Sequence, residues 1–162
     1  MGHSVADGSD RELVESLYDR LRGFAAVTAP WHVEPDDLLQ EVLVRALSQG
    51  PLSRLENPLA YLRRSIINLS IDHARQHDRR RPARSESALG DLSAADRYPS
   101  DLGLLSELSP RARAVVYLAE VEGFRYSEIS EMLNCSESTA RVTAMRARRR
   151  LRNLLSAEVG SG

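Results

Sequence analysis

Six arginines at positions 141, 146, 148, 149, 150 and 152 stand near the C-terminus with no acidic residue among them. They belong to the stretch RYSEISEMLNCSESTARVTAMRARRRLRNL, which begins at Arg125 and reads as helix, tight turn, helix. Tyr126, Ile129, Met132 and Leu133 give the first helix an apolar face, and Asn134-Cys135 forms the turn. Ser136 or Ser138 is a suitable N-cap for the second helix. Ala140, Val142 or Ala144, and Leu151 can pack inward, which leaves Thr139, Arg141, Thr143, Met145 and Arg146 for DNA. Arginine can grip a guanine edge with two parallel hydrogen bonds, and threonine or methionine can touch a thymine methyl. The chemistry is non-covalent: a basic helix carried across a turn suits a DNA major groove.

A second concentration of arginine lies upstream. Seven occur between Arg63 and Arg84, and Asp72 and Asp78 are the only acids among them. The chain as a whole has net charge -1 and no lysine, so its positive charge is local.

Covalent chemistry finds little support. His73 and His77 are four apart on a predicted helix, a spacing that can bind a metal. No third ligand, nucleophile elbow, phosphate loop or GxGxxG accompanies them, so no catalytic residue, cofactor or metal is expected. Cys135 is alone, which excludes an internal disulfide and fits a reducing compartment. No apolar run approaches membrane-spanning length, and a cytoplasmic location is the expectation.

The elements that must position these residues are all helical. Apolar residues from Leu13 onward (Leu13, Val14, Leu17, Leu21, Phe24, Ala25) keep helical spacing up to a stop before Pro30. Pro35 opens a second helix, DDLLQEVLVRALSQ, which buries Leu38, Leu39, Val42, Leu43 and Ala46. Asp37, Gln40, Glu41 and Arg45 lie mostly on its other side. After the Gly50-Pro51 break, Asn57 and Pro58 start a long helix with a stripe of Leu59, Leu62, Ile66, Leu69 and His73. Pro82 ends it. Residues 82–103 have linker composition, small and mildly acidic. Ser109-Pro110 then begins a helix that Gly123 stops. The expectation is all-α: two small helical domains, 10–81 and 104–156, joined by a flexible linker.

The segment LSPRARAVVYLAEVEGFRYSEIS and the helix-turn-helix after it resemble region 4 of bacterial sigma factors. DDLLQEVLVRAL resembles the helix of their region 2.2, and NPLAYLRRSIINLSIDHARQHDRRR resembles regions 2.3 and 2.4. The three occur in family order with no room for regions 1.1 or 3, a layout similar to the extracytoplasmic-function (ECF, group IV) sigma factors.

The resemblance implies an alternative sigma factor that binds core RNA polymerase and directs promoter-specific initiation. Asp37, Gln40, Glu41 and Arg45 would dock on the β′ clamp helices, and the C-terminal domain would meet the β flap. Leu52, Ser53, Arg54, Asn57 and Tyr61 would form the pocket for a base flipped from the melted −10 strand. Asn68 and Asp72 match the family's "RNLA.D" pattern, and Arg63, Arg64, Arg75, Arg79 and Arg80 would track phosphates. The −35 duplex would be read by Ser138, Thr139, Arg141, Val142, Thr143, Met145, Arg146 and Arg149. Val142 and Thr143 depart from the usual serine and basic residue. Glu86, Asp91, Asp96 and Asp101 would let the linker mimic nucleic acid in the polymerase cleft. An anti-sigma factor is a further partner of many relatives. The rival reading is a stand-alone helix-turn-helix regulator on duplex operators.

Overall fold

The computed structural model describes residues 3–80 and 103–161, and side chains from residue 8 onward. The acidic linker residues Glu86, Asp91, Asp96 and Asp101 fall outside the described residues. Among the described residues every regular element is helical.

The first half contains α1 (His3–Thr28), α2 (Pro35–Gln49), a short 3₁₀ turn (Leu52–Arg54) and α3 (Pro58–Arg80). Helix α1 begins ten residues before Leu13, where apolar periodicity starts. Polar residues there continue a helix whose packing is fixed farther along. Thr28 donates its hydroxyl to the Phe24 carbonyl at 2.9 Å, and Pro30 comes just after the helix end. Pro35 starts α2, with Asp36 and Asp37 in a first turn whose exposed N–H groups favour acids. Asn57 caps α3 by accepting the Ala60 N–H at 3.1 Å.

These helices pack α1 on α2, α2 on α3 and α1 on α3. Leu21, Phe24, Leu38, Leu39, Leu62 and Ile66 are each fully excluded from solvent. Each such side chain contributes roughly 1.5–3 kcal/mol. Leu43 and Leu59, expected in the buried stripes, are only partly buried and pack against the edge of the core.

The second half opens with a 3₁₀ turn (Leu104–Glu107) and α4 (Pro110–Val116). Ser109 caps α4 through the Ala112 N–H. The chain continues from α4 into a π turn, Tyr117–Val121, and stops at Gly123, whose φ of +72° suits glycine. Then come α5 (Tyr126–Leu133) and α6 (Glu137–Gly160). The halves are in contact: α3 packs against α4 and α5, and α1 against α4. The buried residues of both halves form a continuous apolar cluster.

Candidate nucleic-acid interface

Helices α5 and α6 meet through small residues. Ile129, Met132 and Leu133 of α5 face Ala140, Ala144 and Ala147 of α6, all buried. Asn134 takes the left-handed conformation at φ +53°, which ends α5 and turns the chain sharply. Ser136 accepts the Thr139 N–H at 3.0 Å and starts α6. The Glu128 carboxylate accepts the Arg125 N–H at 2.8 Å, holding the first turn of α5. The local sequence thereby fixes the angle at which α6 is presented.

Ser138, Thr139, Arg141, Val142, Met145, Arg146 and Arg149 are exposed on α6, while Thr143 is half-buried. Val142 therefore does not pack inward; Ala144 and Ala147 do. The Thr139 hydroxyl lies 2.7 Å from the Ser136 hydroxyl. Arg141 pairs with Glu137 at 2.5 Å, and its guanidinium sits 5.3 Å from the Tyr126 ring centroid. Arg148 turns back to its own domain, donating to the Tyr126 hydroxyl at 2.9 Å and pairing with Glu120. Arg150 reaches Glu107 at 3.4 Å. The basic run is thus divided. Arg141, Arg146 and Arg149 face outward, while Arg148 and Arg150 pair with acidic residues of preceding elements.

The second arginine-rich element, α3, adjoins a recess of about 280 Å³ lined by Leu52, Arg54, Leu55, Tyr61, Gln49 and Pro51, among others. Leu52 is buried at its base and Arg54 is exposed. Tyr61 donates its hydroxyl to Gln49 Oε1 at 3.1 Å. The Ser53 N–H is accepted by Asp10 at 2.9 Å, which ties the 3₁₀ turn to α1. Ser53 and Asn57 lie outside the recess, Asn57 being engaged as the α3 cap. Asn68, Asp72, Arg75 and Arg79 are exposed farther along α3.

Two arginines of α3 behave differently. Arg63, expected to track phosphates, is fully buried. It donates to the Glu122 carboxylate at 2.5 Å and lies 5.5 Å from the ring centroids of both Phe24 and Phe124. Burial lowers its pKa, and the facing Glu122 carboxylate partly restores it. The expectation failed because the second half of the chain covers this side chain. Arg64 is half-buried, and donates to the backbone carbonyls of Met132 at 3.1 Å and Glu131 at 2.5 Å.

On α2, Asp37, Gln40 and Arg45 are exposed. Glu41 is half-buried, 2.6 Å from Arg45 and 3.3 Å from His73 Nε2. Val44 and Leu47 are also exposed, at 69% and 43%. Sequence reasoning misses them, although they lie off the helix's buried stripe and their apolar character marks them. Trp31 is half-buried, edge-on to His32 and His77, and those two rings stack at 4.1 Å between centroids. Among the described residues no group of three potential ligands is placed to hold a metal ion, and no helix is long and apolar enough to cross a membrane.

An all-α chain thus carries an exposed arginine-bearing helix, a recess beside a second arginine-rich helix and a mixed polar-apolar face on α2. Two family models match the chain in sequence: Sigma-70 region 2 over residues 13–80 and Sigma-70, region 4 over residues 102–151. The chain belongs to the sigma-70 family, and ECF sigma factors are among the relatives it resembles. It is 27% identical, over 95% of its length, to the ECF RNA polymerase sigma factor SigE of Mycolicibacterium smegmatis. It is 32% identical, over 74% of its length, to the probable RNA polymerase sigma factor RfaY of Xanthomonas campestris. It spans 64% and 34% of those two relatives' lengths. The fold is similar to that of the sigma factor RpoE of Bartonella quintana, solved in complex with the anti-sigma factor NepR. That similarity has a TM-score of 0.66 at 24% identity, over 90% of this chain and 96% of that one.

Proposed function

We propose that this chain is an alternative sigma factor that binds core RNA polymerase and directs initiation at a particular set of promoters. The observation that supports this reading is the presence of two separate arginine-bearing surfaces, on α3 and α6, beside a third, mixed surface on α2. A regulator that binds only duplex operators has use for α6 alone.

In this reading residues 10–81 form the domain for polymerase docking and the −10 element, 82–103 the linker, and 104–156 the domain for the −35 element. Arg141, Arg146 and Arg149, with Ser138, Thr139, Val142, Thr143 and Met145, read the −35 duplex. The recess between Arg54 and Tyr61 takes an unstacked −10 base. Trapping that base offsets an unpairing cost of a few kcal/mol and so favours the melted state. Ser53, Asn57, Asn68 and Asp72 line the strand's route, and Arg64, Arg75 and Arg79 meet its phosphates. Asp37, Gln40, Glu41 and Arg45 face the β′ clamp helices, with exposed Val44 and Leu47 supplying apolar contact. The partners are the core enzyme, including the β flap, and promoter DNA. The protein works in the cytoplasm and catalyses no covalent step itself.

The decisive experiment is run-off transcription with core polymerase on a promoter library. A sigma factor selects a subset of templates and starts transcripts at fixed positions. A chain that protects duplex operators without polymerase, and adds nothing to the core enzyme, would be a stand-alone regulator.

A further inference from the structure

Leu52 and Asp10 hold the 3₁₀ turn of the recess to the body of the protein in different ways. The Leu52 side chain is 1% exposed and sits in the core. Asp10, on α1, accepts the Ser53 N–H at 2.9 Å across 43 residues of chain. Asp10 is itself only 7% exposed, the one buried acid among the described residues. Burying a carboxylate is costly unless hydrogen bonds compensate it. The turn offers a donor, because an i→i+3 pattern leaves the N–H groups of its first residues without partners inside the turn. The next two N–H groups, of Arg54 and Leu55, bond back to Pro51 and Leu52 at 3.3 and 3.0 Å, within the loop itself.

We propose that Asp10 is a positioning residue for base selection: its bond to the Ser53 N–H sets the orientation of the 52–54 turn, and through it how Arg54 and the recess meet an unstacked base. The proposal rests on the sigma-factor reading of that recess. An apolar anchor is non-directional, so Leu52 fixes the depth of the turn and leaves its rotation free. A hydrogen bond to a carboxylate is short and directional, and fixes that rotation. Arg54 follows Ser53 directly, is exposed and lines the recess, so it moves with the turn. Across the recess, Tyr61 and Gln49 are joined by their own hydrogen bond at 3.1 Å and lie on α3 and α2. They keep their places when the turn rotates. Without Asp10 the two sides lose their register: the recess still admits a base, but discriminates poorly among the four.

The test uses the full chain with Asp10→Ala, Asp10→Leu and Asp10→Asn, and Glu12→Ala as a control for an exposed acid lost from the same stretch of α1. Leucine keeps a branched side chain without an acceptor, so it serves should Asp10→Ala fail to fold; asparagine keeps an acceptor oxygen. Far-UV circular dichroism establishes that each variant remains helical. Amide hydrogen exchange at Ser53, followed by NMR, reads the bond. Run-off transcription by the holoenzyme, on a promoter library randomised across the −10 and −35 elements, reads base preference. Asp10→Ala and Asp10→Leu are expected to exchange several-fold faster at Ser53 and to flatten the preference at the captured −10 base several-fold, with −35 preferences as in wild type. Asp10→Asn and Glu12→Ala should match wild type in both readouts. Unchanged exchange in Asp10→Leu overturns the bond. Faster exchange with an unaltered base profile, even at reduced transcript yield, makes Asp10 merely structural and overturns its positioning role, as does failure of Asp10→Asn to restore the profile. A wild-type chain that gives no promoter-selective transcripts with core polymerase sinks the sigma-factor reading and this role with it; an active wild type whose profile is indifferent to Asp10 sinks this proposal alone.

Discussion

Arg141 is held by Glu137 one turn earlier on the same helix, at 2.5 Å, and by the face of Tyr126. The side chain best placed for a base edge thus has protein partners before DNA arrives. An exposed pair of this kind contributes little to stability. It must nonetheless be broken or shared for a guanine to be read. Arg141→Ala should weaken binding to a selected −35 duplex by about 1–3 kcal/mol and relax specificity at one position. Glu137→Gln should tighten binding a few-fold and cost the free protein about 0.5 kcal/mol through the lost acid at the α6 N-terminus. Anisotropy on the duplex and urea unfolding measure the two effects; unchanged affinity in both variants would remove Arg141 from the readout.

Substitutions in the first domain should separate opening from duplex binding. Arg54→Ala at the recess and Asn68→Ala on the exposed face of α3 should reduce permanganate-reactive open complex with holoenzyme. Binding of the isolated −35 duplex should stay at the wild-type level. Loss of both together would mean that the variants perturb the fold rather than the −10 contact.

Stability should fall as the medium turns acidic, with His32 as the source. Burial lowers its pKa below the ordinary value, and the stacked His77 lowers it further, opposed by a hydrogen bond to the His73 backbone and by Asp78. The unfolded chain then binds a proton more readily than the folded one, so stability is lost as pH drops below about 6.5. The loss levels off once pH passes below the folded pKa. Melting temperatures across about pH 7.5 to 5 should show this slope, and His32→Gln should flatten it. An equal slope in the variant would assign the titration to another group.

The α5–α6 contact leaves no room for growth. Ala144 is fully buried against α5, so Ala144→Leu should destabilise by about 1–3 kcal/mol in urea unfolding. At Gly23 the reverse holds. It lies inside α1, and an added Cβ would meet only the Tyr117 hydroxyl at 3.6 Å. Gly23→Ala should stabilise by up to about 1 kcal/mol.

Much of the fold is legible in the sequence, for identifiable reasons. The stripe of Leu62, Ile66 and Leu69 comes from helical period, and the starts of α2, α3 and α4 come from Pro35, Pro58 and Ser109-Pro110. The turn at Asn134 reflects the tolerance of asparagine for positive φ. The buried state of Arg63 is not legible. Its partner Glu122 is 59 residues away across the linker, and period along α3 carries no information about a second domain. The division of the α6 arginines is hidden for a similar reason, since Glu120 and Glu107, which hold Arg148 and Arg150, lie on earlier elements. At the recess, sequence brings Leu52, Arg54 and Tyr61 together, but the bond from Ser53 to Asp10 depends on a helical stretch with no apolar signal.

The π turn at Tyr117–Val121 widens one turn of helix immediately before Glu122 and Phe124. Deleting one residue from the regular helix of α4 ahead of it would rotate the downstream chain by about 100° relative to the start of α4. Glu122 would swing away from Arg63, while every side chain on the outward face of α6 kept its identity. Helical phase at this point works as a dial on how the halves meet, one that a single-codon deletion can turn without altering any outward side chain of α6.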